Sequence, residues 1–140
     1  MPTLFTRIIQ GEIPGRFVWR DEHAVAFLSI HPLRPGHTLV VPRAEVDHWL
    51  DLDRPLAEHL LHVSQCLGRA LQRAYQPVKV GLMIAGLEVP HTHLHLVPIF
   101  EPHDLDFARA NTSASADELE RSACQVRDAL RELGYYQVTD

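Results

Sequence analysis

Cysteine is scarce in this chain. Cys66 and Cys124 are the two present; both fall in helical patterns and provide neither a disulfide framework nor a Cys-x-x-Cys metal motif. A reducing cytoplasm is the expected compartment. No apolar run approaches the roughly 20 residues needed to cross a bilayer. The first residues, Met1-Pro2-Thr3-Leu4-Phe5-Thr6-Arg7, lack the layout of a signal peptide. No membrane partner is therefore expected. Positive charge is also short, with 13 Lys and Arg against 18 Asp and Glu and a net charge of -5. A broad polynucleotide-binding surface is thereby disfavoured, and any anionic ligand has to be met by local groups. There is no internal repeat, low-complexity tract or linker, so residues 1–140 read as a single domain. At 46% hydrophobic the chain can build a real core, with burial helped by dimerisation.

What the sequence does have is histidine, ten in all, three of them in strict alternation in Val89-Pro90-His91-Thr92-His93-Leu94-His95-Leu96-Val97-Pro98. In an extended backbone, alternate side chains share a face at spacings of roughly 6.5–7 Å, so His91, His93 and His95 are expected to line one wall. Thr92, Leu94, Leu96 and Phe100 then face the other way, and Pro90 and Pro98 mark where regular pairing fails. Three readings compete. The rings are hydrogen-bonded fillers, although burying three side by side costs free energy unless each finds a partner. They grip a metal, with His37, His103 or Glu88 completing the set. Or one imidazole attacks an electrophile while its neighbours stabilise the developing charge. The alternation favours the third.

The remaining elements follow from periodicity and punctuation. Leu4, Phe5, Ile8 and Ile9 predict a short helix closed by Gly11. Phe17–Arg20 and Ala24–Leu28 predict an antiparallel hairpin about the polar turn Asp21-Glu22-His23. Ser29 to Gly36 reads as an ordered loop and Thr38–Pro42 as a strand, with His37 at their junction. Arg34 and Arg43 read as solvated charges. Asp53 caps a helix carrying an apolar stripe of Leu56, Leu60, Val63, Leu67, Ala70 and Ala74, which Pro77 stops. His59 and His62 lie on its exposed side, and Cys66 is inert packing. Lys79–Ala85 predicts a strand. Glu101 to Thr112 is aperiodic, an irregular arm near the histidines. Ser115-Ala116-Asp117-Glu118 opens a last helix through Leu119, Ala123, Val126, Leu130 and Leu133, ended by Gly134. Strands followed by helices, with neighbouring strands closely connected, give an α+β fold with an antiparallel sheet.

His91-Thr92-His93-Leu94-His95-Leu96-Val97 resembles the His-x-His-x-His-x-x signature of the histidine triad superfamily of nucleotide hydrolases and transferases. Phe5, Ile8, Ile9, Gly11 to Pro14, Ala26 to Leu28 and Pro35-Gly36-His37-Thr38-Leu39-Val40-Val41-Pro42 are similar to its N-terminal pattern, in the same order. The resemblance implies a small-molecule nucleotide substrate, a homodimer with one sheet continuous across both subunits, and no cofactor. It makes His93 the nucleophile toward an α-phosphorus, with His95, His91 and His37 in support. Phe5, Ile8, Phe27, Ser29, Ile30 and Glu88 become candidate substrate contacts. Members with structural zinc carry cysteines where Thr3 and Thr6 stand, which implies that this zinc site is absent here. Ser29 replaces an acidic or amide residue that holds ribose. Val80, Leu82, Leu87 and Glu88 also depart from the pattern, placing dinucleoside polyphosphate cleavage in more doubt than attack at an activated monophosphate.

Overall fold

The computed structural model describes residues 1–138. Helix α1 (Leu4–Ile9) is followed by strands β1 (Phe17–Arg20), β2 (Ala24–Leu28) and β3 (Thr38–Pro42), then the long helix α2 (Arg54–Tyr75). Strands β4 (Lys79–Met83) and β5 (Leu94–Ile99) and helix α3 (Ala116–Glu132) complete the order. The five strands form one sheet in the order β1-β2-β3-β5-β4, antiparallel at every pairing. The expected α+β architecture is the one observed. Among the described residues no helix is long and apolar enough to cross a membrane.

Alternation along the strands decides which face each residue serves. Ala24, Ala26, Leu28 and Val40 join Leu94 and Leu96 under the stripes of α2 and α3, among them Leu60, Val63, Leu67, Val126 and Leu130. Val25, Phe27, Leu39 and Val41 turn the other way and pack with Phe5 and Ile8 of α1. Strands β2 and β3 are consequently buried along their whole length, which explains their unbroken apolar runs. Each fully buried leucine of this core contributes about 1.5–3 kcal/mol. His95 pairs with Leu39 across β3 and β5, so its ring lies on the α1 face of the sheet, opposite the two long helices.

The helix ends follow their chemistry. Asp53 accepts from the Leu56 amide at 2.9 Å, Pro55 sits in the first turn, and Gln76 closes α2 in the left-handed region at φ 51. Ser115 accepts from the Glu118 amide, and Gly134, at φ +89, follows the end of α3. The chain then returns to the sheet, where the Arg20 amide donates to the Gln137 carbonyl on the outer side of β1.

Several expectations need correction. The histidine strand begins at Leu94 rather than His91, because the preceding turn spends its backbone groups elsewhere: the His91 amide donates to Val89 O and the Thr92 amide to Val46 O. Pairing does not fail at Pro98, which stays in register with Val80. Strand β3 reaches only Leu96, so the proline's missing N–H opposes no strand on that side. Strand β4 stops at Met83, opposite His95 and one residue before the start of its partner at Leu94. The arm after β5 is aperiodic but structured, as two 3₁₀ turns, Pro102–Leu105 and Phe107–Arg109. Arg34 is no free surface charge: it lies 3.5 Å from Asp104 and over the Phe100 ring. His59 is tied through Nε2 to Asp21 at 2.8 Å, joining α2 to the hairpin turn.

Candidate active site

Four histidines converge on the α1 face of the sheet, all buried, and the backbone fixes which nitrogen of each carries hydrogen. The Leu33 amide donates to His37 Nδ1 at 3.0 Å. A neutral His37 must then carry its hydrogen on Nε2, which lies 3.0 Å from His95 Nδ1. His95 Nδ1 accepts, leaving His95 with N–H at Nε2. His93 Nδ1 lies 2.7 Å from the His91 carbonyl, an oxygen that can only accept, so Nδ1 donates and Nε2 of a neutral His93 is left as a bare lone pair. The rings of His93 and His95 meet edge to face with centroids 4.8 Å apart. One ring thus offers a lone pair beside another that offers a hydrogen.

The neutral state these tautomers require is favoured by the surroundings. Burial, reinforced by His95 and His93, pulls His37 down to about 3. Burial and then His93 bring His95 to about 4. His93 is also lowered, mainly by burial, and the carbonyl of His91 opposes that shift. His91 is lowered chiefly by burial, with Pro42 O and the Glu45 carboxylate working against it.

His91 lies on the same face, but both its ring nitrogens are engaged by the protein. Its ring is fully buried (0% exposed) and turned toward α1 and the end of β3. Nε2 lies 2.7 Å from Pro42 O and Nδ1 2.7 Å from the Thr3 hydroxyl. Sequence alternation placed it with His93 and His95 on the assumption of an extended backbone, and the turn before Leu94 removes that premise.

The candidate substrate contacts separate into two groups. Phe5 sets its ring edge on His93 at 4.8 Å and on His91 at 5.8 Å, backed by Phe27 and by Ile8 in the same cluster. Glu88 is exposed, and its charge is felt at His93. Ser29 is tied to the site through its backbone, donating to His37 O, while its hydroxyl accepts from the His31 amide. Ile30 is 65% exposed and belongs to neither apolar cluster. One residue was missed. Phe107, from the arm, places its ring 5.0 Å from His95, and nothing in its aperiodic stretch signalled this.

The donors around Thr3 do not fit a structural metal. Thr3 and Thr6 bring neutral hydroxyls, and His91 Nδ1 is already engaged. Among the described residues no group of three or more His, Cys, Asp or Glu is placed to hold an ion.

Comparison with known proteins gives the family and the fold. The family model of the HIT domain matches residues 10–102. An uncharacterized HIT-like protein of Borreliella burgdorferi is 36% identical over 115 residues, covering 77% of this chain and 83% of that protein. A hypothetical histidine triad nucleotide-binding protein of Sulfolobus tokodaii superposes with a TM-score of 0.82 at 26% identity, over 95% of this chain and 97% of its own. A HIT family hydrolase of Legionella pneumophila gives 0.59 at 30% identity, over 69% and 91%. The chain belongs to the HIT family.

Proposed function

We propose that this protein is a nucleotide hydrolase or transferase that attacks the α-phosphorus of a small nucleotide conjugate through a nucleotidyl-histidine on His93. The observation that carries the reading is the pairing of opposite tautomers, a bare Nε2 on His93 beside an N–H on His95. The nucleotide-binding and hydrolase descriptions of the Sulfolobus tokodaii and Legionella pneumophila proteins support it.

In the first step the His93 Nε2 lone pair forms the N–P bond, and the bond to the leaving group breaks with its electron pair. The leaving group takes a proton from solvent. The nucleotidylated ring carries a positive charge, and its Nδ1–H remains on the His91 carbonyl, 2.7 Å away, which stabilises that charge. His95 Nε2–H donates to a phosphate oxygen as negative charge builds in the five-coordinate transition state. Water then attacks phosphorus, the N–P bond breaks, neutral His93 returns and the water's proton passes to solvent. The two displacements need no metal. Phe5 supplies an edge for a base, with Ile8 and Phe27 behind it.

An amine leaving group suits the site better than a polyphosphate. Arg34 is already engaged by Asp104 and Phe100, Leu87 is 95% exposed with no donor to offer, and Glu88 brings negative charge that repels a phosphate tail. Turnover of adenylate and guanylate phosphoramidates against dinucleoside polyphosphates, for wild type and His93→Ala, tests the reading. Expected are phosphoramidate hydrolysis by wild type, trapping of a labelled nucleotide on the protein, and loss of both in the variant. Binding without turnover would make the protein a noncatalytic nucleotide binder and overturn the mechanism.

The reading includes a homodimer paired through β4. That strand has β5 on one side, and Val78, Leu82 and Leu87 are exposed along this region. Sedimentation should give a dimer that Leu82→Lys weakens, and a monomeric wild type would remove this part of the reading.

A further inference from the structure

The loop carrying His91 is held in place by the ring itself. The His91 ring bridges two segments far apart in sequence. Its Nε2 faces Pro42 O at 2.7 Å, and since a carbonyl only accepts, Nε2 carries the hydrogen. Nδ1 of the neutral ring is then a bare acceptor on a residue with no solvent exposure, so leaving it without a donor would be costly. Thr3 supplies that donor, with its hydroxyl 2.7 Å away. The single hydroxyl hydrogen has two acceptors in reach, and the shorter contact, to His91 Nδ1 rather than to Thr6 Oγ1 at 3.2 Å, takes it, while the oxygen accepts from the Thr6 amide at 3.1 Å as the N-cap of α1.

Thr3 is itself held. Its amide donates to Glu45 Oε1 at 2.8 Å, and its Oγ1 lies 3.2 Å from Thr6 Oγ1. Glu45 is kept in its ionised form first by the Thr6 hydroxyl and then by the Thr3 amide, which lower its pKa. Four polar side chains from the start of α1, the segment after β3 and the histidine loop thus form one hydrogen-bonded knot.

We propose that Thr3 is a positioning residue: by donating to His91 Nδ1 it seats the buried ring, whose Nε2–H tautomer Pro42 O sets, and so keeps the His91 carbonyl on His93 Nδ1. This rests on the reading of His93 as nucleophile. Without the hydroxyl, Nδ1 of a buried ring has no donor, and a change of tautomer gives no relief because it would set the Nε2 lone pair against Pro42 O. The ring then loses its seat and the loop shifts. His93, released from the carbonyl, acquires a population with hydrogen on Nε2, which has no lone pair for phosphorus.

The test uses the full chain with Thr3→Val, which replaces the hydroxyl by a methyl of similar size, and Thr3→Ser, which restores it. The imidazole ¹⁵N shifts of His91 and His93 report the tautomers, and hydrolysis of adenosine 5′-phosphoramidate reports turnover. For Thr3→Val, kcat should fall about tenfold, the loss expected from one buried hydrogen bond, with KM changed less than about twofold. The His93 Nε2 signal should move away from the bare-nitrogen position, and Thr3→Ser should recover both. If Thr3→Val does not fold, Glu45→Ala at an exposed position releases the Thr3 amide and should give smaller changes in the same direction. A folded Thr3→Val with unaltered His91 and His93 shifts and undiminished kcat would overturn the proposal. A wild type that turns nothing over would sink the catalytic reading instead, while the ¹⁵N shifts would still show whether Thr3 keeps the His91 carbonyl on His93 Nδ1.

Discussion

Lowering the pH should destabilise this protein well before its carboxylates titrate, because two buried histidines resist protonation. In the unfolded chain His37 and His95 return to about 6.5, whereas in the fold they stand at about 3 and about 4. Below about pH 6.5 the unfolded state therefore binds protons that the folded state refuses, and stability falls with pH until the folded values are reached. The stabilisation is fully present above about 6.5. It shrinks through the window down to about 4 for His95 and about 3 for His37. At about pH 5 each group costs about 2 kcal/mol relative to neutral pH, or about 4 kcal/mol for the pair, a large share of the roughly 5–15 kcal/mol typical of a domain. Urea melts at pH 7.5 and 5 would measure the difference. His37→Gln gives the internal control: its amide can still donate to His95 Nδ1 but does not titrate, so the variant should lose about 2 kcal/mol less stability than wild type over the same interval. An equal loss in wild type and variant, or a flat wild-type profile, would refute the assignment of neutral, mutually hydrogen-bonded rings.

Two further substitutions probe how the site is held. Gly36 sits at φ +94, and a Cβ there would meet the Tyr75 ring at 2.5 Å. Gly36→Ala should therefore cost about 2 kcal/mol or more in chemical denaturation and lower turnover, since His37 follows directly. Phe107 is 46% exposed, so Phe107→Ala should change stability by less than about 1 kcal/mol. By uncovering His95 it should also raise that residue's pKa from about 4 toward its ordinary value, a shift that NMR titration would detect.

How much of this was legible in the sequence depended on whether the deciding interactions were local. Helices α2 and α3 were, because their caps, Asp53 and Ser115, act on amides three residues on and their stripes repeat every three to four residues. The β1–β2 hairpin was legible for the same reason, whereas His37, 58 residues from His95, was singled out through the family resemblance. His91 was not legible. Its orientation is set by Thr3 and Pro42, 88 and 49 residues away, and alternation carries no information about either. Thr3 and Thr6 stood out only as positions lacking cysteine; Glu45, which completes their network, carried no local signal. Phe107 reaches His95 from a stretch without periodicity, where only the folded arm brings the rings together.

The tail beyond α3 has a consequence for assembly. By accepting from Arg20 at the rim of β1, the Gln137 carbonyl occupies a hydrogen-bonding position there, so the two margins of the sheet are not equivalent. Copies that join through β4 would present only these blunted margins outward. Growth into a ribbon would be disfavoured there, because the outer strand already has one of its hydrogen-bonding positions taken.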